Sequence, residues 1–176
     1  MIRVAQKPND QAVEWTALDR SFVVESELKL HLVDGNLSYE VVAVPPYEKT
    51  YTNRQEVDVG TASFVAYVQN RPAGEMRMSQ SWNGYAYIED LVVGQAFRRM
   101  GVGTALVNQA IGWSESKHLP GVMLETQNNN VAACKLYEHC GFRLTGFDSA
   151  LYQGLIKSSR EVALFWYWHA KSHVPE

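Results

Sequence analysis

The 176-residue chain predicts a single α/β domain of the α+β kind, residues 1–176, with a mixed, mostly antiparallel sheet, one parallel pair of strands, and flanking helices. Three observations carry this expectation. Residues 63–93 read as three strands, SFVAYVQ, GEMRMSQSW and YAYIEDLVV, and the last two are joined by Asn83-Gly84, the strongest short-range hairpin signal. A helix and then the apolar strand 121–126 follow, and a strand, helix, strand succession implies a parallel pair. Within that helix Val102, Leu106, Ala110 and Trp113 form one stripe, flanked by Val107 and Ile111, an apolar face broad enough to lie on a sheet.

The remaining elements can be read in order. A short strand at residues 2–5 precedes a helix from Asp10 to about Arg20, with Asp10 as N-cap and Ala12, Trp15 and Leu18 at helical spacing. ELKLHLV (27–33) alternates polar and apolar residues, turns at Asp34-Gly35 and returns as LSYEVVAV, which makes a hairpin. Pro45-Pro46 is expected to end it, with residues 47–60 forming a polar surface loop, and Asn70-Arg71-Pro72 is expected to be a turn. Towards the C-terminus, a helix runs from Asn130 to His139, capped by the asparagine and ended by Gly141. Strands at 142–145 and 162–168 complete the chain.

Composition narrows the function. A net charge of −3 and a pI near 6.0 argue against a nucleic-acid partner, which needs a basic face, and suit a cationic small molecule. No apolar run reaches the ~18 residues of a membrane span, and MIRVAQKPNDQ has no signal-peptide core, so a cytoplasmic protein without a membrane partner is expected. Cys134 and Cys140 lack redox or metal-ligand spacing, and the five histidines show no ligand grouping, so reduced thiols and no metal are expected. A homodimer is the general prior for assembly.

The most informative stretch is YIEDLVVGQAFRRMGVGTAL, residues 87–106. A strand ending at Val93, a short basic loop and a helix beginning near Gly101 leave unpaired helix N–H groups and the positive end of the helix dipole facing whatever sits there, which favours an anion. Gly101 and Gly103 let a ligand touch backbone, and Arg98 and Arg99 add donors suited to phosphate oxygens. Leu106 occupies the third-glycine position of a dinucleotide fingerprint, and the lysine of a Walker A loop is missing.

Arg98-x-x-Gly101-x-Gly103 instead resembles the acyl-CoA signature of the GCN5-related N-acetyltransferases, and the order of strands and helices is similar to that fold. Asn130-x-x-Ala133-x-x-Leu136-Tyr137-x-x-x-Gly141-Phe142 resembles that family's second signature. LDRSFVVESELKL, SWNGYAYIEDLVV, LETQNNNVAACKLYEHCGF and ALFWYW together resemble the streptothricin (nourseothricin) acetyltransferases, over residues 18–168. The resemblance implies one acetyltransferase domain with a splayed parallel pair and acetyl-CoA as co-substrate. It further implies acetylation of an amine in the β-lysine moiety of a streptothricin-type antibiotic. The cofactor set it implies is Leu91, Val92, Val93, Arg98, Arg99, Met100, Gly101, Val102, Gly103, Thr104, Asn130 and Tyr137.

The chemistry asks for further groups. An alkylamine with a pKa of about 10.4 arrives protonated and must lose a proton before attacking a thioester. Glu89, Asp90 and Glu125 stand on the proposed strands; Glu89 and Asp90 serve opposite faces unless a bulge intervenes, and the family's strand typically bulges there. Glu89 and Glu125 are therefore the candidate bases, direct or through water, with solvated strand-end carboxylates as the competing reading. A backbone N–H at Val92 or Val93 suits the oxyanion, and the resemblance places Tyr137 near the CoA sulfur as the acid. Trp82, Tyr87, Asp148 and Tyr152 are candidates for binding the cationic acceptor. Two other functions share these signatures: a protein N-terminal acetyltransferase of the ribosomal-protein type, and a non-catalytic acyl-CoA-binding module.

Overall fold

A computed structural model describes residues 1–7, 18–51, 61–154 and 159–171. The described elements are strands β1 (Ile2–Lys7), β2 (Ser21–Val33), β3 (Asn36–Thr50), β4 (Ala62–Val68), β5 (Arg71–Gln80) and β6 (Ala86–Val93), helix α1 (Val102–Ser116), strand β7 (Gly121–Gln127), helix α2 (Val131–His139), and strands β8 (Arg143–Asp148) and β9 (Ala163–His169). They fall into two compact units, one of Met1–Ser21, Thr50–Val122 and His169–Glu176, the other of Phe22–Lys49 and Met123–Trp168.

In the first unit β1, β4, β5 and β6 are antiparallel neighbours in that order. Gln69 and Asn70, at φ 50° and 61°, make the two-residue turn between β4 and β5. Both central residues are left-handed, which matches the twist of a hairpin. Arg71 and Pro72 consequently open β5 rather than lying in the expected turn. Helix α1 lies on β5 and β6 and buries Val102, Leu106, Val107 and Ala110 almost completely, as the apolar stripe predicts. The approach is close enough that a Cβ on Gly74 of β5 would meet Val102 Cγ1 at 2.9 Å.

The second unit holds the β2–β3 hairpin and the neighbouring strands β7, β9 and β8. Asp34 and Gly35 turn the hairpin at φ 48° and 77°. Its strands exceed the expected span: β2 starts at Ser21, and β3 continues through Pro45-Pro46 to Thr50, so the first residues of the expected 47–60 loop are strand. Successive strand residues turn their N–H positions to opposite edges, so one of the two prolines faces the edge where no described strand pairs with β3, and the other costs a single donor on the β2 side. Val24, Leu28, Leu124, Cys134, Phe142, Leu164 and Trp166 form this unit's core. Asn130 caps α2, its Oδ1 accepting from the Ala133 N–H at 3.2 Å, and Gly141 ends it at φ 87°. Such a cap contributes about 1 kcal/mol.

Of the helix expected from Asp10 to Arg20, residues 10–17 lie outside the described residues, and Leu18 to Arg20 run non-helically into β2. The remainder of the 47–60 loop, residues 52–60, also lies outside them. No described helix is long and apolar enough to cross a membrane.

Candidate active site

In the first unit, β6 delivers its last residues, Leu91, Val92 and Val93, to a loop that makes one 3-10 turn at Gln95–Phe97 and then enters α1. Arg99 and Gly101 are left-handed, at φ 64° and 86°, and Gly101 stands at the N-cap position with no side chain to occupy it. The first N–H groups of α1, at Val102, Gly103 and Thr104, have no intrahelical acceptor by helix geometry, so the cradle is built from backbone. Arg99 and Met100 are exposed beside it.

The side chain of Arg98, the candidate for phosphate, holds backbone carbonyls. Its Nε donates to the Val93 carbonyl at 3.3 Å, and its Nη2 donates to the carbonyls of Asp19 at 3.4 Å and Ser21 at 2.7 Å. The guanidinium thus ties the cofactor loop to the segment before β2. Gly94 packs on that segment too, since a Cβ there would meet Leu18 Cδ2 at 2.9 Å.

Glu89 is the extra residue of a bulge in β6: Arg77 pairs with Asp90 and Met78 with Ile88, leaving Glu89 without an opposite number. Beside it stands an ionic cluster. Arg20 donates to both carboxylate oxygens of Asp90, at 3.2 and 2.9 Å, and to Glu75 at 3.1 Å, while Arg77 lies 3.6 Å from Asp90. Burial pushes the Glu75 carboxyl up from 4.5 to about 7, against the pull of Arg20. The folded protein therefore keeps a proton that the unfolded chain has already released, and this group's contribution to stability is lost as pH rises from 4.5 through about 7. Glu75→Gln, which mimics the protonated form, is expected to raise the melting temperature relative to the parent more at about pH 8 than at about pH 5. Equal shifts at both pH values would show that Glu75 does not titrate in this range.

In the second unit, Glu125 of β7 accepts a hydrogen bond from the hydroxyl of Tyr152, which is buried in the 3-10 turn Leu151–Gly154. Two residues assigned separately to base and acceptor binding are thereby one pair. Asp148 acts locally, its Oδ1 accepting from the N–H groups of Ala150 at 2.7 Å and Leu151 at 3.1 Å, and so shapes the turn that carries Tyr152. Tyr137 is buried on α2, its ring 5.9 Å from that of Phe142. Cys134, on the same helix, is buried and its thiol is pushed up to about 12, which leaves it protonated and a poor nucleophile.

The family model of the GNAT acetyltransferases matches residues 30–142. The chain belongs to the GNAT acetyltransferase family. A streptothricin acetyltransferase of Escherichia coli is 35% identical over 90% of this chain and 91% of its own length. Streptothricin acetyltransferase A of Bacillus subtilis is 40% identical over 70% and 73%. A Bacillus anthracis protein crystallised in complex with acetyl coenzyme A is 39% identical and superposes with a TM-score of 0.86 over 97% of this chain and all of its own. The GNAT fold, with its mixed sheet, is thus the fold of this protein.

The two remaining acceptor candidates differ in exposure. Trp82 is 97% exposed in its turn, and Tyr87 is half-buried on β6. A cavity of about 300 Å³ that no motif flagged lies in the second unit, lined by Glu27, Tyr47, Asn128, Asn129, Ser159, Arg160 and Glu161. Lys49 braces it by donating to Glu161 at 2.6 Å and Asn129 at 3.1 Å. Its sequence trace is Asn128-Asn129 ahead of the helix-capping Asn130, since these two amides at a strand end need tertiary partners.

With Arg98 holding the GNAT cofactor loop through carbonyls, its removal should have two effects rather than one. Arg98→Ala is expected to raise the KM for acetyl-CoA about tenfold and to lower the melting temperature, because three carbonyls lose a donor. A raised KM with no thermal effect would return the guanidinium to the phosphate.

Proposed function

We propose that the protein transfers an acetyl group from acetyl-CoA directly to an amine of a streptothricin-type antibiotic, in the β-lysine moiety, within a ternary complex, and so confers resistance. The observation that carries this reading is the 35% identity to the Escherichia coli streptothricin acetyltransferase across 90% of this chain and 91% of that one. The family match passes through both compact units, which supports reading residues 1–176 as one acetyltransferase domain. The residues fit the co-substrate: a left-handed Gly101 and the open N-terminus of α1 suit a pyrophosphate.

Each residue then has a defined part. Glu125, oriented by Tyr152, and Glu89, at the bulge, relieve the acceptor ammonium of its proton, directly or through a water. Backbone N–H groups at Val92 or Val93 face the carbonyl oxygen as negative charge develops on it. Tyr137 returns a proton to the departing thiolate. Leu91, Met100, Thr104 and Asn130 complete the binding of the cofactor arm. No acyl-enzyme forms, in keeping with a protonated, buried Cys134.

Free-thiol release from acetyl-CoA, measured with streptothricin, with kanamycin and with a ribosomal-protein N-terminal peptide, tests the assignment. Turnover with streptothricin alone is expected. Turnover only with the peptide would make the protein an N-terminal acetyltransferase, and turnover with none of the three would leave an acyl-CoA-binding module.

A further inference from the structure

Register and charge together single out residues of the first unit that no motif names. Across β5 and β6 the pairing runs Gly74 with Val93, Glu75 with Val92, Met76 with Leu91 and Arg77 with Asp90, then jumps to Met78 with Ile88. Directly opposed residues of an antiparallel pair share a face, and successive residues alternate. Met76, Met78, Ile88 and Leu91 therefore share one face, while Glu75, Arg77 and Asp90 share the other. In a strand without the bulge, Glu89 would stand opposite Arg77, and Asp90 would fall on the face of Ile88, away from Arg77 and Glu75. The bulge at Glu89 is what brings Asp90 to the cations.

The cations in turn hold the bulge. The side chains of Arg20, Glu75 and Arg77 are only 8%, 3% and 6% exposed, and Asp90 receives two hydrogen bonds from Arg20. Removing the Asp90 carboxylate from so buried a group strands the guanidiniums at high cost. A slip to the regular register would set Glu89 opposite Arg77 in place of Asp90, drawing into the cluster the carboxylate that the bulge otherwise leaves outside it. Arg20 is also fixed from outside the sheet, because its neighbours Asp19 and Ser21 offer their carbonyls to Arg98 and its own carbonyl accepts from the Tyr51 N–H at 3.4 Å.

We propose that Asp90 and Arg20 are positioning residues that lock the bulged register of β6 and thereby fix Glu89 where it meets the acceptor amine. This rests on the reading of Glu89 as a carboxylate that takes the acceptor's proton. Through the segment of residues 18–21, the same lock shares its anchor with the cofactor loop, so strand and loop keep one relative setting.

A double-mutant cycle tests it. Asp90→Asn keeps the size of the side chain and an acceptor oxygen for Arg20 but loses the charge. It is expected to lower kcat about tenfold, short of the ~100-fold that an ångström of misplacement costs, with the KM for acetyl-CoA within about twofold. In a Glu89→Gln background the same substitution is expected to lower kcat by less than about twofold, because the group it positions is gone. An equal factor in both backgrounds overturns the positioning role and leaves Glu89 standing. A Glu89→Gln enzyme with unchanged kcat overturns both. Arg20→Lys, which keeps the charge but not the fork, guards against misfolding: with a cooperative thermal transition retained, it is expected to repeat both the loss and the non-additivity. Parental kcat in that variant also overturns the proposal.

Discussion

Glu125→Gln is expected to lower kcat by about two to three orders of magnitude while the melting temperature stays close to that of the parent. The asymmetry follows from the partner of the carboxylate. Tyr152 donates its hydroxyl proton to Glu125, and a glutamine side-chain oxygen can accept the same bond. The substitution therefore removes basicity and charge without removing the anchor. Tyr152→Phe makes the complementary change, leaving the base and deleting what orients it, and a loss of about tenfold is expected. Steady-state kinetics with streptothricin and thermal unfolding measure both effects. A Glu125→Gln protein with parental kcat would transfer the deprotonation to Glu89 alone.

Tyr137→Phe is expected to lower kcat about 100-fold, with the dissociation constant for acetyl-CoA changed by no more than about twofold. The ring is only 6% exposed and packs against Phe142, whose N–H donates to the Tyr137 carbonyl at 3.0 Å. Phenylalanine preserves that packing and deletes one oxygen. Rapid-quench measurement of the first turnover separates the chemical step from product release. If kcat is unchanged, the thiolate leaves without help from this hydroxyl.

The sequence announced this architecture most clearly where short-range chemistry and tertiary structure agree. Asn83-Gly84, the alternation of 27–33, the stripe of α1 and the asparagine cap of α2 are local signals, and each element lies close to where they put it. The turn into α1 was equally legible, because Gly101 takes the left-handed N-cap position that the glycine pattern suggested. What pairwise register decides was hidden. The need for a bulge could be stated at Glu89, but not that it would carry Asp90 across the sheet to Arg77 and Glu75. A polar residue inside an apolar strand, as Glu75 and Arg77 are in AGEMRMSQ, was the overlooked hint that a buried cluster existed. Arg98 shows a different gap: its motif suggested phosphate, and nothing in the sequence pointed to the three carbonyls that its donors also hold. Asp148 likewise serves the turn that carries Tyr152, a role that depends on backbone N–H groups whose direction no side-chain pattern encodes.

The proline pair in β3 has a consequence outside the molecule. A ribbon of two long strands with Val23, Leu32, Val33 and Val41 largely in solvent is the kind of surface on which a strand of another molecule can add and begin an ordered aggregate. Such addition needs a row of N–H donors along the outer strand. Of Pro45 and Pro46, adjacent in β3, one falls on the outer edge and deletes a donor from that row, and the charges of Lys29 and Glu40, paired at 3.1 Å, lie on the ribbon as well. The dipeptide interrupts not the strand itself but the line of chains that could otherwise join it.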